Sequence, residues 1–115
     1  MTTGTGEYIT PKLPNRIITI TRNADRVITI RRRDPVTAAP VNWDAQLHMK
    51  IDVDPATVAD IPATVEGSLA TVRMESDLLD TLRKGTTWRL IMSQGSNPSL
   101  ETPVMVGIFE RNDGK

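Results

Sequence analysis

Gly85-Thr86-Thr87-Trp88-Arg89-Leu90-Ile91-Met92-Ser93 is the stretch on which the reading of this chain turns. The glycine closes one element, and the residues after it alternate. Trp88, Leu90 and Met92 fall on one side of an extended chain, with Thr87, Arg89 and Ile91 on the other. That is a strand with one apolar face. The chain has four aromatic residues, and Trp88 is the largest apolar body among them, so a core should form around it.

Upstream of Gly85, Ser76 to Lys84 reads as a short helix. Ser76 is placed as N-cap, Asp77 and Asp80 sit in the first turn, and Arg83 and Lys84 in the last. Val65 to Met74 reads as a strand in which Leu69 is out of phase with Val72, which predicts a bulge near Ala70. Asp52 to Pro62, with prolines at 55 and 62, reads as a linker. Before it, residues 41–51 alternate without a break: Val41, Trp43, Ala45, Leu47, Met49 and Ile51 point one way. Trp43 is therefore expected as a second core anchor beside Trp88.

Arg16 to Thr21 and Arg26 to Arg31 are both β-branched and alternating, separated by Asn23-Ala24-Asp25. As a hairpin, Ile20 opposite Ile28 and Ile18 opposite Ile30 would gather four isoleucines on one face. A shift by one residue would set isoleucine against threonine. Downstream, Gln94 to Glu101 is a turn-rich loop, Thr102 to Arg111 a closing strand, and Asn112 to Lys115 a turn-like tail. Residues 1–15 read as an extended arm, interrupted by Pro11 and Pro14. The expected fold is all-β: a small β-sandwich or barrel of about six or seven strands over residues 16–115, with one short helix at 76–84.

At 115 residues the chain holds one core, and with 38% hydrophobic and 3% aromatic residues that core is thin. The absence of cysteine excludes disulfides, thiolate metal sites and a cysteine nucleophile. Apolar runs are too short to span a membrane, and the first residues lack the pattern of a signal peptide. The net charge of zero conceals a division. Residues 1–33 carry seven basic side chains against two acidic ones, and residues 34–80 carry nine acidic against two basic. Separated patches of this kind suit attachment to copies of the same chain or to a mixed assembly.

Little points to chemistry. His48, the only histidine, lies on the polar side of its strand, and an enzymatic reading would need a pocket bringing it together with two carboxylates. Asp52-Val53-Asp54 with Asp60 resembles the start of a calcium loop, but Pro55 follows where a glycine turn is needed. No metal or cofactor is therefore expected. Arg31-Arg32-Arg33 is the one basic run; without a stacking platform or excess positive charge it reads as a docking contact and not a nucleic-acid site. Sugar stacking would require an exposed tryptophan, and both tryptophans fall on apolar faces.

Gly67-Ser-Leu-Ala-Thr-Val-Arg-Met-Glu-Ser, Gly85-Thr-Thr-Trp-Arg-Leu, Pro103-Val-Met-Val-Gly107 and Arg111-Asn-Asp-Gly114 form a spaced series. Together they resemble the LtfC-like β-sandwich proteins encoded among the virion structural genes of actinobacterial, mycobacteriophage-type tailed phages. The resemblance implies a non-enzymatic subunit located in the virion and assembled in the bacterial host cytoplasm. Its implied partners are other virion proteins and copies of itself, with no nucleic acid or membrane. Tail, tail tip or fibre is favoured over capsid surface or head-to-tail junction. The residues expected to make such contacts are Tyr8, Leu13, Arg31, Arg32, Arg33 and Arg89. The alternative is a free-standing recognition module for a host envelope glycan or protein.

Overall fold

Strands that are apolar on one side must stack in pairs to cover that side. The computed structural model describes residues 14–95 and 98–113. Along them run β1 (Asn15–Ile20), β2 (Arg26–Arg31), β3 (Gln46–Asp54), β4 (Thr57–Pro62), β5 (Thr64–Glu66) and β6 (Leu69–Met74). A single-turn helix α1 (Ser76–Leu79) follows, then β7 (Thr87–Gln94) and β8 (Leu100–Arg111). They form a sandwich of a five-stranded sheet, ordered β1-β8-β7-β3-β4, and a three-stranded sheet, ordered β2-β6-β5. The expectation of a small all-β sandwich holds.

The isoleucines at 18, 20, 28 and 30 are all buried, as their alternation predicts, but not as neighbours in a hairpin. β1 runs parallel to β8, with Asn15 opposite Val106 and Ile20 opposite Arg111, while β2 pairs antiparallel with β6 in the other sheet. The four side chains therefore meet across the sandwich interior. Alternation decides which face is buried and leaves open which edge is bonded. The connecting loop is held from the side: the Arg22 N–H donates to Asp113 Oδ2 (2.6 Å) and the Asn23 N–H to Asp80 Oδ1 (3.1 Å). Asp25 accepts from the Ser76 N–H at 2.8 Å and from Arg73 at 2.9 Å. A loop tied to residues 48 to 91 positions away carries the chain from one sheet to the other.

Three other expectations need correction. Residues 52–62 are no linker; they close the β3–β4 hairpin, with Asp54 Oδ1 accepting from the Ala56 N–H (2.8 Å) at the Pro55 turn. β4 is an edge strand that ends at Pro62, a place where proline costs no ladder bond. Residues 65–74 are two strands, not one bulged strand. A turn at Gly67-Ser68 separates β5 from β6, and Gly67 adopts φ +58°. Leu69 lies in the same strand as Val72 and faces the other way, half-buried, while Ala70, Val72 and Met74 fill the core, so no bulge is needed. The helix is also only four residues long, with Glu75 as N-cap, because Asp25 supplies from outside the acceptor that Ser76 was expected to provide. Leu82 enters the core from the turn that follows.

β7 buries Trp88, Leu90 and Met92, as read. Its heavy companion is Phe109 on β8, fully buried, and not Trp43. β3 begins at Gln46, so Trp43 precedes the strand and packs half-buried against the margin of the core. Gly107 lies opposite Trp88 on one side and Arg16 on the other. A Cβ at Gly107 would overlap the Arg16 carbonyl oxygen and lie 2.7 Å from Trp88 Cζ2. Space, not backbone angle, requires the glycine.

Candidate functional site

β8 is twelve residues long, and its two halves have different surroundings. From Val106 to Ile108 it lies between β1 and β7, and β1 alone continues beside it to Arg111. From Leu100 to Met105, β7 flanks one edge and no described strand flanks the other. The Val106 N–H donates to the Pro14 carbonyl (3.0 Å), so the backbone of Pro14 faces β8. In a parallel ladder the same residue should donate to the preceding β8 carbonyl, and proline has no proton to give. Among the described residues the register of β1 on β8 begins at Asn15 opposite Val106, and Leu100 is 63% exposed.

Where β1 stops, a cavity of about 260 Å³ opens at the end of the sandwich. Trp43, Met92 and Met105 form much of its apolar wall, and Arg31, Arg32 and Arg33 also line it. The Arg32 guanidinium lies 5.3 Å from the centroid of Trp43, a cation–π contact, and donates to the Asn42 carbonyl at 3.3 Å. Arg33 donates to the Ala38 carbonyl at 3.2 Å. Among the described residues, no carboxylate lies within ion-pair distance of any of the three. Trp43 Nε1 is buried with no hydrogen-bond partner.

Some cations elsewhere are paired, while Arg16, Arg26 and Arg83, like the triplet, are in no ion pair among the described residues. Arg73 reaches Asp25 (2.9 Å) and Glu75 (3.2 Å), Lys50 reaches Asp60 (2.7 Å), and Arg111 reaches Asp113 (2.7 Å). Arg89 does face outward, but its Nη1 is committed to both oxygens of Asp52 at 3.0 and 2.8 Å. The Thr87 hydroxyl, at 2.6 Å from Asp52, and then Arg89 hold that carboxyl below the usual range. The carboxylates once compared with a calcium loop are thus engaged separately, Asp54 in its own turn and Asp60 with Lys50. Tyr8 and Leu13 lie outside the described residues.

The outer face of the five-stranded sheet carries a polar row that sequence reading missed. His48 Nδ1 lies 2.9 Å from Asp60, and its Nε2 lies 3.2 Å from Ser93 Oγ and 3.4 Å from Glu101 Oε1. The depression beside them measures about 520 Å³ and is lined by His48, Asp60 and Ser93. The condition for an enzymatic reading, a pocket with His48 and two carboxylates, is met only in part: Asp60 lines this depression, while Glu101 lines the neighbouring one. The chemistry is not that of a nucleophile. Ser93 Oγ donates its proton to Glu101 at 2.7 Å, so it offers His48 only a lone pair. Ser93 also sits within the β3–β7–β8 ladders, between Gln46 and Glu101, where the backbone N–H groups that would stabilise an oxyanion are committed to the sheet. Both ring nitrogens face acceptors, so the row is complete when the imidazole carries both protons. Ser93 first, then Ser99 and His48, hold the Glu101 carboxyl below its ordinary range. Lys50 first, then His48, do the same for Asp60.

The far end of β8 is closed. Arg111 forks onto Asp113 (Nε 3.1 Å, Nη2 2.7 Å) and donates to the carbonyls of Leu79 and Leu82 at 2.8 and 3.0 Å. Its side chain is 0% exposed. Thr21 donates to Asn112 at 2.6 Å, fastening the end of β1 to the end of β8. The turn-like tail of the sequence is a clasp. The model of the LtfC-like, beta-sandwich domain matches residues 12–112, nearly the whole chain. The chain belongs to the LtfC-like β-sandwich family. A search of curated proteins finds no match. The LtfC-like match reaches back to include β1, which the residues carrying the resemblance left out. Those residues supply the β5–β6 turn at Gly67, the Trp88–Gly107 packing and the Arg111–Asp113 clasp. Membership suggests a phage-associated protein.

Proposed function

We propose that this LtfC-like chain is a non-enzymatic structural subunit of a tailed phage virion, working by protein–protein assembly. Tail, tail tip or fibre is favoured over the capsid surface or the head-to-tail junction. The observation that carries the reading is the open end of the sandwich. There, among the described residues, an arginine triplet without carboxylate partners lies beside a strand edge with no partner and an exposed leucine. A monomer that kept this surface in solution would leave an aggregation-prone edge uncovered; a particle subunit covers it with a neighbour. The polar row at His48 is a network across the strand faces in this reading. The tryptophans favour it over glycan stacking: Trp88 is 1% exposed, and Trp43 is half-buried beneath Arg32.

Mass spectrometry of purified virions tests the reading directly. The protein is expected in the particle, at a copy number matching a symmetric position. Its absence from virions contradicts the proposal, as would covalent labelling of Ser93 by a fluorophosphonate probe.

A further inference from the structure

Deepening the assembly reading, and resting on it, we propose that the turn from Arg33 to Pro40 docks into the groove beside His48 on a second copy of this chain. The two copies exchange these contacts reciprocally.

The turn is a rigid projection. Arg33 and Pro40 bridge its base, the Asp34 N–H donates to the Ala39 carbonyl (2.8 Å), and the Ala38 N–H donates to the Asp34 carbonyl (2.9 Å). Asp34 Oδ1 accepts from the Val36 N–H (2.8 Å) and the Thr37 N–H (2.9 Å), and Arg33 donates to the Ala38 carbonyl (3.2 Å). These bonds hold Ala38 at φ +61°, a left-handed conformation that a residue with a Cβ keeps only where its surroundings enforce it. At the tip stands Val36, 90% exposed. A single exposed apolar side chain is ordinary, but one fixed on a strained and tightly bonded turn has little freedom left to lose on binding.

The groove answers that tip in shape and charge. Two depressions of about 520 and 510 Å³ share Ala45, Gln46 and Ser93, so they form one trough. Leu47, Pro62, Ala63 and Val65 give it an apolar wall suited to an aliphatic side chain. Its charged lining is Asp44, Asp60 and Glu101, and among the described residues no lysine or arginine lines it. Asp60 and Glu101 are engaged in the His48 row, whereas Asp44 is exposed and in no ion pair among the described residues. The base of the turn brings the complement: Arg31 and Arg33 are exposed and meet no carboxylate among the described residues. Arg33 is assigned to Asp44 of the other copy, a charge-assisted contact that also fixes register.

Placement makes the exchange reciprocal. None of residues 31–42 lines the trough, so the turn does not fill its own. Only residues 41–44 separate Pro40 from Ala45 in the trough, a reach of at most about 18 Å. With projection and groove side by side, a two-fold axis between copies forms both contacts in one interface, and the assembly closes as a dimer.

Sedimentation of the full chain over a range of concentrations reads the pairing. Val36→Asp should weaken dimerisation about tenfold or more, with an unchanged urea midpoint because Val36 touches little in its own subunit. Arg33→Asp and Asp44→Arg should each weaken it, and mixing the two variants should restore it, because the turn of each then meets a groove of opposite charge. A chain that stays monomeric at every concentration, or variants that pair like wild type, overturn the proposal. The chain has no cysteine, so oxidation of the double variant Val36→Cys/Ala63→Cys reads the geometry cleanly. A covalent dimer is expected as the sole cross-linked species. A ladder of larger species overturns the reciprocal exchange, and a disulfide within one chain overturns the second copy. A protein found in virions that fails these tests leaves the assembly reading standing and removes this inference alone.

Discussion

The two halves of β8 are one strand in two conditions. The half from Val106 to Arg111 has β1 along one edge and β7 along the other as far as Ile108, a glycine fitted against Trp88, and Arg111 and Asn112 fastening its end to α1, the turn after it and β1. The half from Leu100 to Met105 has, among the described residues, one neighbouring strand, an exposed leucine, and a cavity lined by arginines that meet no carboxylate. The first half is finished by contacts inside the chain. The second needs contacts from outside it. Among the described residues the division falls where the register of β1 begins, at Asn15 opposite Val106.

The comparison is most easily broken at the closed half. Trp88→Ala removes the largest fully buried side chain and is expected to cost about 3–5 kcal/mol of stability by urea denaturation. Gly107→Ala should cost on the order of 3 kcal/mol, because its methyl group must displace the Arg16 carbonyl or the Trp88 ring. Arg111→Ala leaves a covered carboxylate and two carbonyls without their donor, and a loss of about 2–4 kcal/mol is expected. At the open half, Arg32→Ala should cost less than about 1 kcal/mol, since a cation–π contact at an exposed site is worth little, while self-association falls. Equal destabilisation by Arg111→Ala and Arg32→Ala would erase the distinction between the halves.

Which side of each strand is inward was legible in the chain. The alternation of Ile18, Ile20, Ile28 and Ile30, and of Trp88, Leu90 and Met92, predicted burial correctly because side-chain parity is local. Partnership was not legible. The β1–β2 loop looks like a hairpin turn until Asp25, Arg22 and Asn23 are seen bonding to residues near 76, 80 and 113, and no local pattern records such ties. Proline misled at residues 55 and 62, where it marks a turn and the end of an edge strand rather than a linker. Two signals were available and missed: an isolated glycine within a strand, Gly107, marks close approach, and Phe109 continues the alternation of β8. Of the open site, the arginine triplet was legible from charge alone. The bare edge beside it was not, because it depends on where a parallel partner stops. The His48 row escaped for the same reason, since its members come from four strands.

The smallest effect concerns pH. Asp52, Asp60 and Glu101 are held below their ordinary values by hydroxyl and cationic partners. A depressed carboxyl stabilises the fold at every pH above its unfolded value and ceases to do so as pH falls through its folded value. The urea midpoint is therefore flat down to about pH 4 as far as these groups are concerned, and falls below it. Asp60→Asn should shorten that fall slightly, because Asp60 is 46% exposed and solvent screens its pairs with Lys50 and His48.

Hydrogen exchange along β8 most directly compares its two halves. In dilute protein, the β1-facing amides of Val106 to Arg111 should be protected and the free-edge amides of Leu100 to Met105 should exchange rapidly. At concentrations where the chain associates, and in the virion, the second set should slow to match the first. Free-edge amides that are already protected in dilute protein, or that stay unprotected on assembly, would contradict the claim that β8 is completed by a neighbouring chain.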